Sequence, residues 1–197
     1  MRYSREHKAE TRERVLKEAA KEIRARGPDN VAVAGVMARA GLTHGGFYAH
    51  FASKDALVKE AIGTMFADAR KRTERIDADG DPRAVLRAYV DFYLSPAHRD
   101  SRDRGCPLPT LSGDFARSQP ATRERFGEGV VGIAGRLAAP LAQLGYADAE
   151  AESHALLAQL VGGVALARAV GDAELSAAML TDTHASIVAR YGLETAQ

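Results

Sequence analysis

The chain has 197 residues, 46% of them hydrophobic and 27% charged, which is typical of a folded soluble protein and argues against disorder of the whole chain. The formal net charge is +1, but residues 1–59 carry +5 and the remainder −4, so a polyanionic partner is expected near the amino-terminal end. One cysteine excludes disulfides within the chain, and the lack of a signal-type leader or of about eighteen consecutive apolar residues favours the cytoplasm over secretion or a membrane.

Two helices are predicted in the first forty residues. Apolar residues recur at intervals of three and four over residues 4–26, with charged residues on the opposite face, and Gly27-Pro28 ends this pattern. A shorter helix is predicted at about residues 31–39. Asn30 is the residue able to cap its start.

A turn and a third, very short helix follow. Gly41 allows the chain to leave the second helix through the left-handed region, and Thr43 is expected to cap a helix over about residues 43–50. Phe47 and Phe51 are four residues apart and therefore share one buried stripe. This arrangement predicts a helix-turn-helix whose third helix reads nucleic acid.

A long helix is predicted to begin at Ser53, its cap. The cation of Lys54 in its first turn opposes the helix dipole, which favours an anion such as a DNA phosphate as its partner. The apolar stripe of this helix is long enough to leave the first three helices and enter a second helical layer. Its members are Leu57, Val58, Ala61, Ile62, Met65, Phe66 and Ala69.

The rest of the chain is also predicted to be helical. Asp77 to Pro82 form a turn, in which Asp81 caps a helix that begins at Pro82. The charged stretch from Ser95 to Gly105 is predicted to be a loop. The later predicted helices are a short one with Leu108, Leu111 and Phe115, one from Ser118-Gln119-Pro120 to Leu144 that contains Pro140 and ends at Gly145, and two at about 148–170 and 173–191. The fold class is therefore all-α with about nine helices: a helix-turn-helix head over residues 1–52 and a larger helical domain over residues 53–197.

One family pattern runs through the head. It consists of Gly27, Val33, Val36, Arg39-Ala40-Gly41, Gly45, Tyr48, His50-Phe51, Ser53-Lys54 and Leu57. With these residues, about the first sixty positions resemble the TetR family of bacterial transcriptional regulators. Three positions depart from the family pattern: Ile23 replaces an aromatic residue, Ala32 a capping Ser or Thr, and His44 a frequent Lys.

The resemblance implies a homodimer that binds double-stranded DNA at a partly palindromic operator and responds to a small-molecule inducer. By the same resemblance, phosphates would be held by Thr43, Gly45, Tyr48, His50 and Lys54. The residues nearest the base edges would be His44, Gly46 and Phe47. Of these three residues only His44 carries a side-chain donor, so few direct hydrogen bonds to bases are expected. Arg2, Arg5 and Lys8 are candidates to share the recognition of DNA.

The inducer site is predicted among the middle helices. Its candidate lining residues are Met65, Phe66, Tyr89, Phe92, Tyr93, Cys106, Leu108, Leu111 and Phe115. Apolar and aromatic side chains with a few polar groups are typical of a small-molecule pocket, but the same pattern is equally typical of a filled core.

Cys106 allows an alternative input. Arg99, Arg102 and Arg104 precede it and are able to lower the pKa of its thiol, which would make the protein a redox or electrophile sensor. The competing interpretation is a small buried hydrophobe beside Pro107.

No enzymatic site, metal site or cofactor is expected. The glycines of residues 127–132 match GxGxxG, but the preceding segment is helical and charged rather than a strand, so close helix packing or space for a ligand is the better interpretation. His98, Asp100 and Cys106 match no tight metal-ligand spacing, and Ser112 has no identifiable base partner.

The last two helices are the predicted dimer surface. Their apolar residues exceed what a thin two-helix layer buries alone, so a four-helix contact between two chains is expected, with an intrachain core as the alternative. These residues are Leu156, Leu157, Leu160, Val161, Val164, Leu166, Met179, Leu180, Ile187 and Val188. His154 and His184 are expected to be polar members of this interface.

Overall fold

A computed structural model describes residues 2–74, 76 and 80–194, with side chains from residue 6 onward. Within these residues it contains nine α-helices, one 3₁₀ helix and no strand, which confirms the predicted all-α class. The elements are α1 (Arg2–Arg26), α2 (Val33–Arg39), the 3₁₀ helix (His44–Ala49), α3 (Lys54–Thr73), α4 (Pro82–Tyr93), α5 (Pro96–Asp100), α6 (Leu108–Phe115), α7 (Pro120–Gln143), α8 (Ala149–Ala169) and α9 (Ala173–Tyr191). No helix among the described residues is both long enough and apolar enough to cross a membrane.

The head consists of α1, α2, the 3₁₀ helix and the first half of α3. The buried stripe of α1 packs on α3, while α2 packs on both α1 and the 3₁₀ helix. Burial removes these apolar side chains from water and holds the short elements in place, since neither α2 nor the 3₁₀ helix is long enough to be stable alone. The main members of this core are Val15, Ala19, Ile23, Val36, Met37, Phe47, Phe51, Leu57 and Ala61.

The helix ends of the head follow the predictions only in part. Gly27 and Gly41 have φ of +80° and +74°, so both leave their helices through the left-handed region as expected. The predicted cap of α2 is wrong: its N-cap residue is Ala32, which has no side-chain oxygen to accept a bond. The side-chain amide of Asn30 instead donates to the carbonyl oxygen of Arg26 at 2.9 Å and closes the end of α1.

Thr43 occupies the N-cap of the 3₁₀ helix but makes no side-chain cap bond, contrary to expectation. The reason is that the amide of Gly46 already donates to the backbone carbonyl of Thr43 at 3.1 Å in the tighter 3₁₀ geometry. Ser53 does cap α3 as predicted, because its hydroxyl accepts from the amide of Ala56 at 3.1 Å.

The body consists of the second half of α3 and α4 to α9. In it α7 and α8 pack along each other, α3 lies against α7, and α9 covers α8. Asp81 caps α4 and Pro82 is its first residue, as predicted, although residues 77–79 of the predicted turn lie outside the described residues. Helix α7 runs through Pro140, and Gly145 follows its end with φ of +87°.

The stretch predicted as a charged loop contains α5. Ser95 accepts the amide of His98 at 3.1 Å and Pro96 fills the first helical position, so a local start signal was present within the charged sequence. Arg168 of α8 fixes this short helix, because its guanidinium donates to the carbonyl oxygens of His98 and Arg99, both at 2.8 Å.

Candidate DNA-binding surface and ligand cleft

The 3₁₀ helix presents a small surface to solvent. Tyr48 is the most exposed large hydrophobic side chain described, at 73%, and Thr43, His44 and Gly45 are exposed beside it. An exposed aromatic ring with its hydroxyl on a short rigid element is able to contact a phosphate or a base from outside the protein.

Phe47 lies beneath this surface rather than on it. Its ring is 2% exposed, stacks on Phe51 with centroids 5.7 Å apart and meets Tyr48 edge-on at 5.2 Å. The predicted buried stripe is confirmed, and its burial keeps Phe47 away from base edges in this structure. Phe47 therefore supports the surface on which Tyr48 stands.

The two glycines of the 3₁₀ helix leave space above the backbone. A Cβ atom added to Gly45 would meet no heavy atom within 4 Å, and one added to Gly46 would meet only the methyl of Met37 at 3.7 Å and the hydroxyl of Thr43 at 3.9 Å. The protein itself therefore does not require glycine at position 45, and the backbone there is open to a closely approaching partner.

His50 is held by neighbours from α1. Arg12 lies over the ring of Phe51 at 4.8 Å, donates to the carbonyl oxygen of His50 and pairs with Glu60 of α3. Desolvation, with the nearby charges of Lys8 and Arg12, lowers the pKa of the His50 imidazole. At neutral pH its ring is therefore an uncharged hydrogen-bonding group.

Lys54 has a partner within the protein. Its ammonium donates to the carbonyl oxygen of Asp29 at 2.6 Å, so the cation already has an acceptor in this structure, and its contact with a phosphate stays a prediction. Of the expected arm residues, Lys8 is exposed, while the side chains of Arg2 and Arg5 lie outside the described residues.

A cleft of about 860 Å³ opens in the body between α3, α4 and α7. It has room for a drug-sized molecule. Five of the predicted ligand-binding residues line it: Phe66, Tyr89, Phe92, Tyr93 and Cys106.

The other four predicted lining residues are core. Met65, Leu108, Leu111 and Phe115 are at most 3% exposed and do not border the cleft. Helix α6 packs its apolar face on α7 and α8, so the side chains it contributes fill the interior instead of facing the opening.

The opening of the cleft is charged, which the apolar pattern did not predict. Arg70 lies 3.9 Å from Glu74, and Arg125 pairs with Glu128. A signal was present in the sequence, since Phe66 and Arg70 are four residues apart and therefore share one face of α3.

Glycines widen the cleft along α7. The GxGxxG run lies within the continuous helix α7, and Gly129 and Gly132 line the cleft. The ring of Phe66 occupies the place that a Cβ on Gly129 would take, which confirms the interpretation of close helix approach. At Gly132 the corresponding place is empty.

The inner end of the cleft holds a neutral histidine. His98 Nδ1 donates to the carbonyl oxygen of Tyr93 at 2.7 Å, and Nε2 accepts from the amide of Cys106 at 3.2 Å. Burial lowers the pKa of His98 to about 4. Since both ring nitrogens are engaged, neither is available to a metal in this arrangement.

Cys106 has the opposite of a reactive environment. Burial raises the pKa of its thiol, and this outweighs the smaller lowering effects of the neighbouring Tyr93 and Arg168. The expectation that Arg99, Arg102 and Arg104 lower it is wrong, because these side chains are engaged elsewhere, with Asp100, the carbonyl oxygen of Arg168 and Asp103 respectively.

The predicted dimer residues are mostly interior. Helices α8 and α9 bury Leu156, Leu157, Leu160, Val164, Leu180 and Ile187 within one chain, while Val161, Met179 and Val188 are partly buried. The intrachain alternative is therefore correct for most of this set, because α7 covers α8 from the other side. Leu166, at 53% exposed, the exposed Ala158 and the half-buried Gly162 remain on the outer face of α8.

The two histidines of these helices differ. His184 lies 2.6 Å from the carboxylate of Asp91 on α4, so it belongs to an intrachain contact and not to a free interface. His154 is exposed on α8.

The family described as "Bacterial regulatory proteins, tetR family" matches residues 15–61, which form most of the head. An uncharacterized HTH-type transcriptional regulator of Bacillus subtilis (strain 168), YdgC, is 39% identical over 67 residues. That match covers 34% of this chain and 34% of YdgC, so it spans about a third of each protein.

Solved structures resemble almost the whole chain. A TetR transcriptional regulator from Chloroflexus aurantiacus J-10-FL has a TM-score of 0.78 at 24% identity and covers 93% of this chain and 96% of its own. The reduced form of E. coli NemR has a TM-score of 0.78 at 20% identity and covers 90% and 95%. At these identities the likeness concerns the fold, and it extends the similarity from the head to the body.

Proposed function

Because this chain belongs to the TetR family of bacterial regulatory proteins, we propose that it is a homodimeric cytoplasmic repressor that leaves its DNA operator when a small molecule binds in the body. The observation that carries the proposal is the exposed surface of the 3₁₀ helix, where Tyr48 projects from a buried pair of aromatic rings. The excess of +5 in residues 1–59 favours a polyanion at the same end.

In this proposal the DNA contacts divide by chemistry. Thr43, Tyr48 and the neutral ring of His50 donate to phosphates, which set the position of the head on the duplex. His44 and the backbone around Gly45 lie at base edges, and Phe47 keeps them in place from below. Lys54 reaches a phosphate only by leaving the carbonyl oxygen of Asp29.

Helix α3 is the connection between DNA and ligand. Its first half packs in the head through Leu57 and Ala61, and its second half lines the cleft through Phe66 and Arg70. Twenty residues of helix span about 30 Å and transmit a displacement as a rigid element. A ligand that fits the cleft better in one position of α3 shifts the protein toward the corresponding placement of the head.

The protein leaves DNA if this shift changes the distance between the two heads of a dimer, so that this distance no longer matches the half-site repeat of about 34–36 Å. The dimer surface supported best is the outer face of α8 and α9, where small residues such as Ala158 and Gly162 allow close helix approach beside Leu166. The ligand class favoured by the cleft has an apolar body against Phe66 and Phe92, with a polar group at the charged opening.

The DNA proposal is tested by selecting operators from random duplexes at physiological salt and measuring the affinity of variants for the selected sequence. Gly45→Ala is expected to weaken binding by about 1–3 kcal/mol, because the new methyl meets DNA and nothing in the protein. Gly113→Ala on α6, whose Cβ is equally unobstructed, is the matched control and keeps full affinity. Selection of no partly palindromic sequence, or equal affinity of both variants, would contradict the proposal.

The ligand cleft is tested with the fluorescent probe 8-anilinonaphthalene-1-sulfonate, which combines an apolar body with an anionic group. Gly132→Leu fills the empty space at the cleft wall and is expected to abolish probe binding while operator affinity is kept. Val131→Leu, on the exposed neighbouring position, is the control. Equal fluorescence from the two variants would remove the cleft from the mechanism.

The dimer is tested by light scattering on the eluting protein. The mass of two chains is expected for the wild type and for Ala142→Glu on the exposed face of α7, and the mass of one chain for Gly162→Glu. A monomeric wild type would contradict the proposed assembly.

A further inference from the structure

A basic groove lies between α1 and the second half of α3, on a different side of α3 from most of the ligand cleft. Its volume is about 640 Å³, and Arg104, from the segment after α5, also lines it. Among the described residues its lining contains eight lysines and arginines and only two carboxylates. Arg72 borders both this groove and the cleft.

The cations come from facing walls. Four basic residues of α1 recur at intervals of three and four, so they form one stripe along the helix. They are Arg14, Lys17, Lys21 and Arg24. Lys71 and Arg72 of α3 are exposed on the opposite wall, so positive charges meet across the groove.

Arg24 forms the floor of the groove and is 2% exposed. Its Nε donates to the carbonyl oxygen of Asp103 at 2.6 Å, and its Nη2 lies 3.5 Å from the carboxylate of Asp68. Nη1 is buried and has no hydrogen-bond partner among the described residues. A buried guanidinium nitrogen without an acceptor is costly, so this position favours an additional oxygen ligand.

The groove has more cations than its own two carboxylates can pair, although carboxylates outside the lining also pair three of them: Lys17 with Glu13, Arg39 with Glu22 and Arg104 with Asp103. Glu18 accepts from Lys21 at 2.7 Å and lies 3.6 Å from Arg39. Asp68 is the carboxylate nearest Arg24. Neither carboxylate forms an ion pair with Lys71, which leaves positive charge on the α3 wall.

We propose that this groove binds a phosphate-bearing small molecule with at least two negative charges. Phosphate oxygens are able to accept simultaneously from guanidinium groups and ammonium groups that converge from several directions, as they do here from α1, α3 and Arg104. The concave shape, with Arg24 at the floor, suits a small anion that enters the groove. Bound there, the anion ties the head to the far end of α3.

The experiment is calorimetric titration of the full-length protein with inorganic pyrophosphate, at an ionic strength held constant with chloride. Lys71→Gln and Arg104→Gln are each expected to weaken pyrophosphate binding by about tenfold or more, since each removes one charge-assisted hydrogen bond. Both side chains are exposed, so folding is preserved. Arg123→Gln on the exposed face of α7 removes the same charge outside the groove and keeps wild-type affinity.

Thermal unfolding gives a second measurement. Pyrophosphate is expected to raise the Tm of the wild type and of Arg123→Gln, but not that of Lys71→Gln. Absence of pyrophosphate binding by the wild type, or equal binding by all variants, would overturn the proposal. It would also be overturned if pyrophosphate did not bind while Lys71→Gln weakened duplex DNA binding and its salt dependence, since the groove would then belong to the DNA surface.

Discussion

The head and the body assemble their functional surfaces in different ways. In the head, the surface comes from one run of consecutive residues around Tyr48, and its support comes from neighbours in the same turn, Phe47 and Phe51. In the body, the cleft collects side chains from α3, α4, α7 and Cys106, which lie far apart along the chain. A local surface is therefore changed by one residue at a time, whereas the cleft depends on how whole helices pack.

The two regions also treat polar groups differently. The head leaves most of its polar groups at the surface, with Arg24 and part of the His50 ring as buried exceptions. The body buries His98, Tyr93 and Cys106 at the inner end of the cleft, where both ring nitrogens of His98 depend on protein partners. Because burial lowers the pKa of His98 to about 4, the stability of the body is expected to respond to protonation of this group.

The comparison is tested most strongly by neighbouring residues of the head. Phe47→Ala is expected to cost about 3–5 kcal/mol of stability, because it empties a buried site. Tyr48→Ala is expected to change stability by no more than about 0.5 kcal/mol while weakening operator binding. Urea denaturation and operator titration of both variants separate a residue that supports the surface from one that contacts DNA. Equal loss of stability in the two variants would show that surface and support are not distinct.

The buried histidine gives the body its own pH dependence. The unfolded chain binds a proton at His98 near its ordinary pKa of 6.5, but the folded chain only near about 4. The contribution of the neutral His98 ring to the free energy of unfolding is therefore fully present above pH 6.5, and it falls by up to about 3 kcal/mol as the pH drops toward 4.

His98→Gln is expected to remove this part of the pH dependence, measured by urea denaturation between pH 4.5 and 7. His154→Gln, on the exposed face of α8, is the control and keeps the wild-type slope. An unchanged slope in His98→Gln would mean that the imidazole titrates alike in both states.

Helix packing around the cleft is tested by two glycines of α7. Gly129→Ala is expected to cost about 1–3 kcal/mol, because the new methyl displaces the ring of Phe66. Gly135→Ala meets no atom within 4 Å and is expected to gain about 0.5–1 kcal/mol, as alanine is favoured over glycine in a helix. Thermal unfolding measures both changes in stability. A gain of stability in both variants would contradict the close packing of α3 on α7.

A small effect is also expected at the uncapped start of α2. Ala32→Ser places a hydroxyl at an N-cap with extended backbone, where it is able to accept a free amide, and is expected to add about 1 kcal/mol. Ala34 is exposed inside α2, two residues after the N-cap, so Ala34→Ser adds a hydroxyl without a cap and serves as the control. A stabilisation shared by both would assign the gain to something other than capping.

Some local predictions were wrong because several residues were able to play the same part. Asn30 had the right side chain to cap α2 but lies two residues before its N-cap and bonds to Arg26 instead. A phosphate was the expected partner of Lys54, and that contact stays a prediction, although the ammonium donates to the carbonyl oxygen of Asp29 in this structure. The acceptor of Lys54 is not visible in the sequence, since it depends on where the chain returns, whereas the bond of Asn30 to Arg26 spans only four residues. The predicted boundary between residues 52 and 53 stays a prediction, because α3 packs in both regions.

The sequence by itself determined the helix-turn-helix, the glycine-ended helices and the all-α class, because these follow from interactions between residues a few positions apart. Tertiary structure alone decided which aromatic residues face the cleft and which fill the core. Phe66 and Met65 have the same apolar character, but packing of α3 against α7 opens space beside one and closes it around the other. Periodicity reports which face of a helix is apolar, whereas the space in front of that face is set by its neighbours.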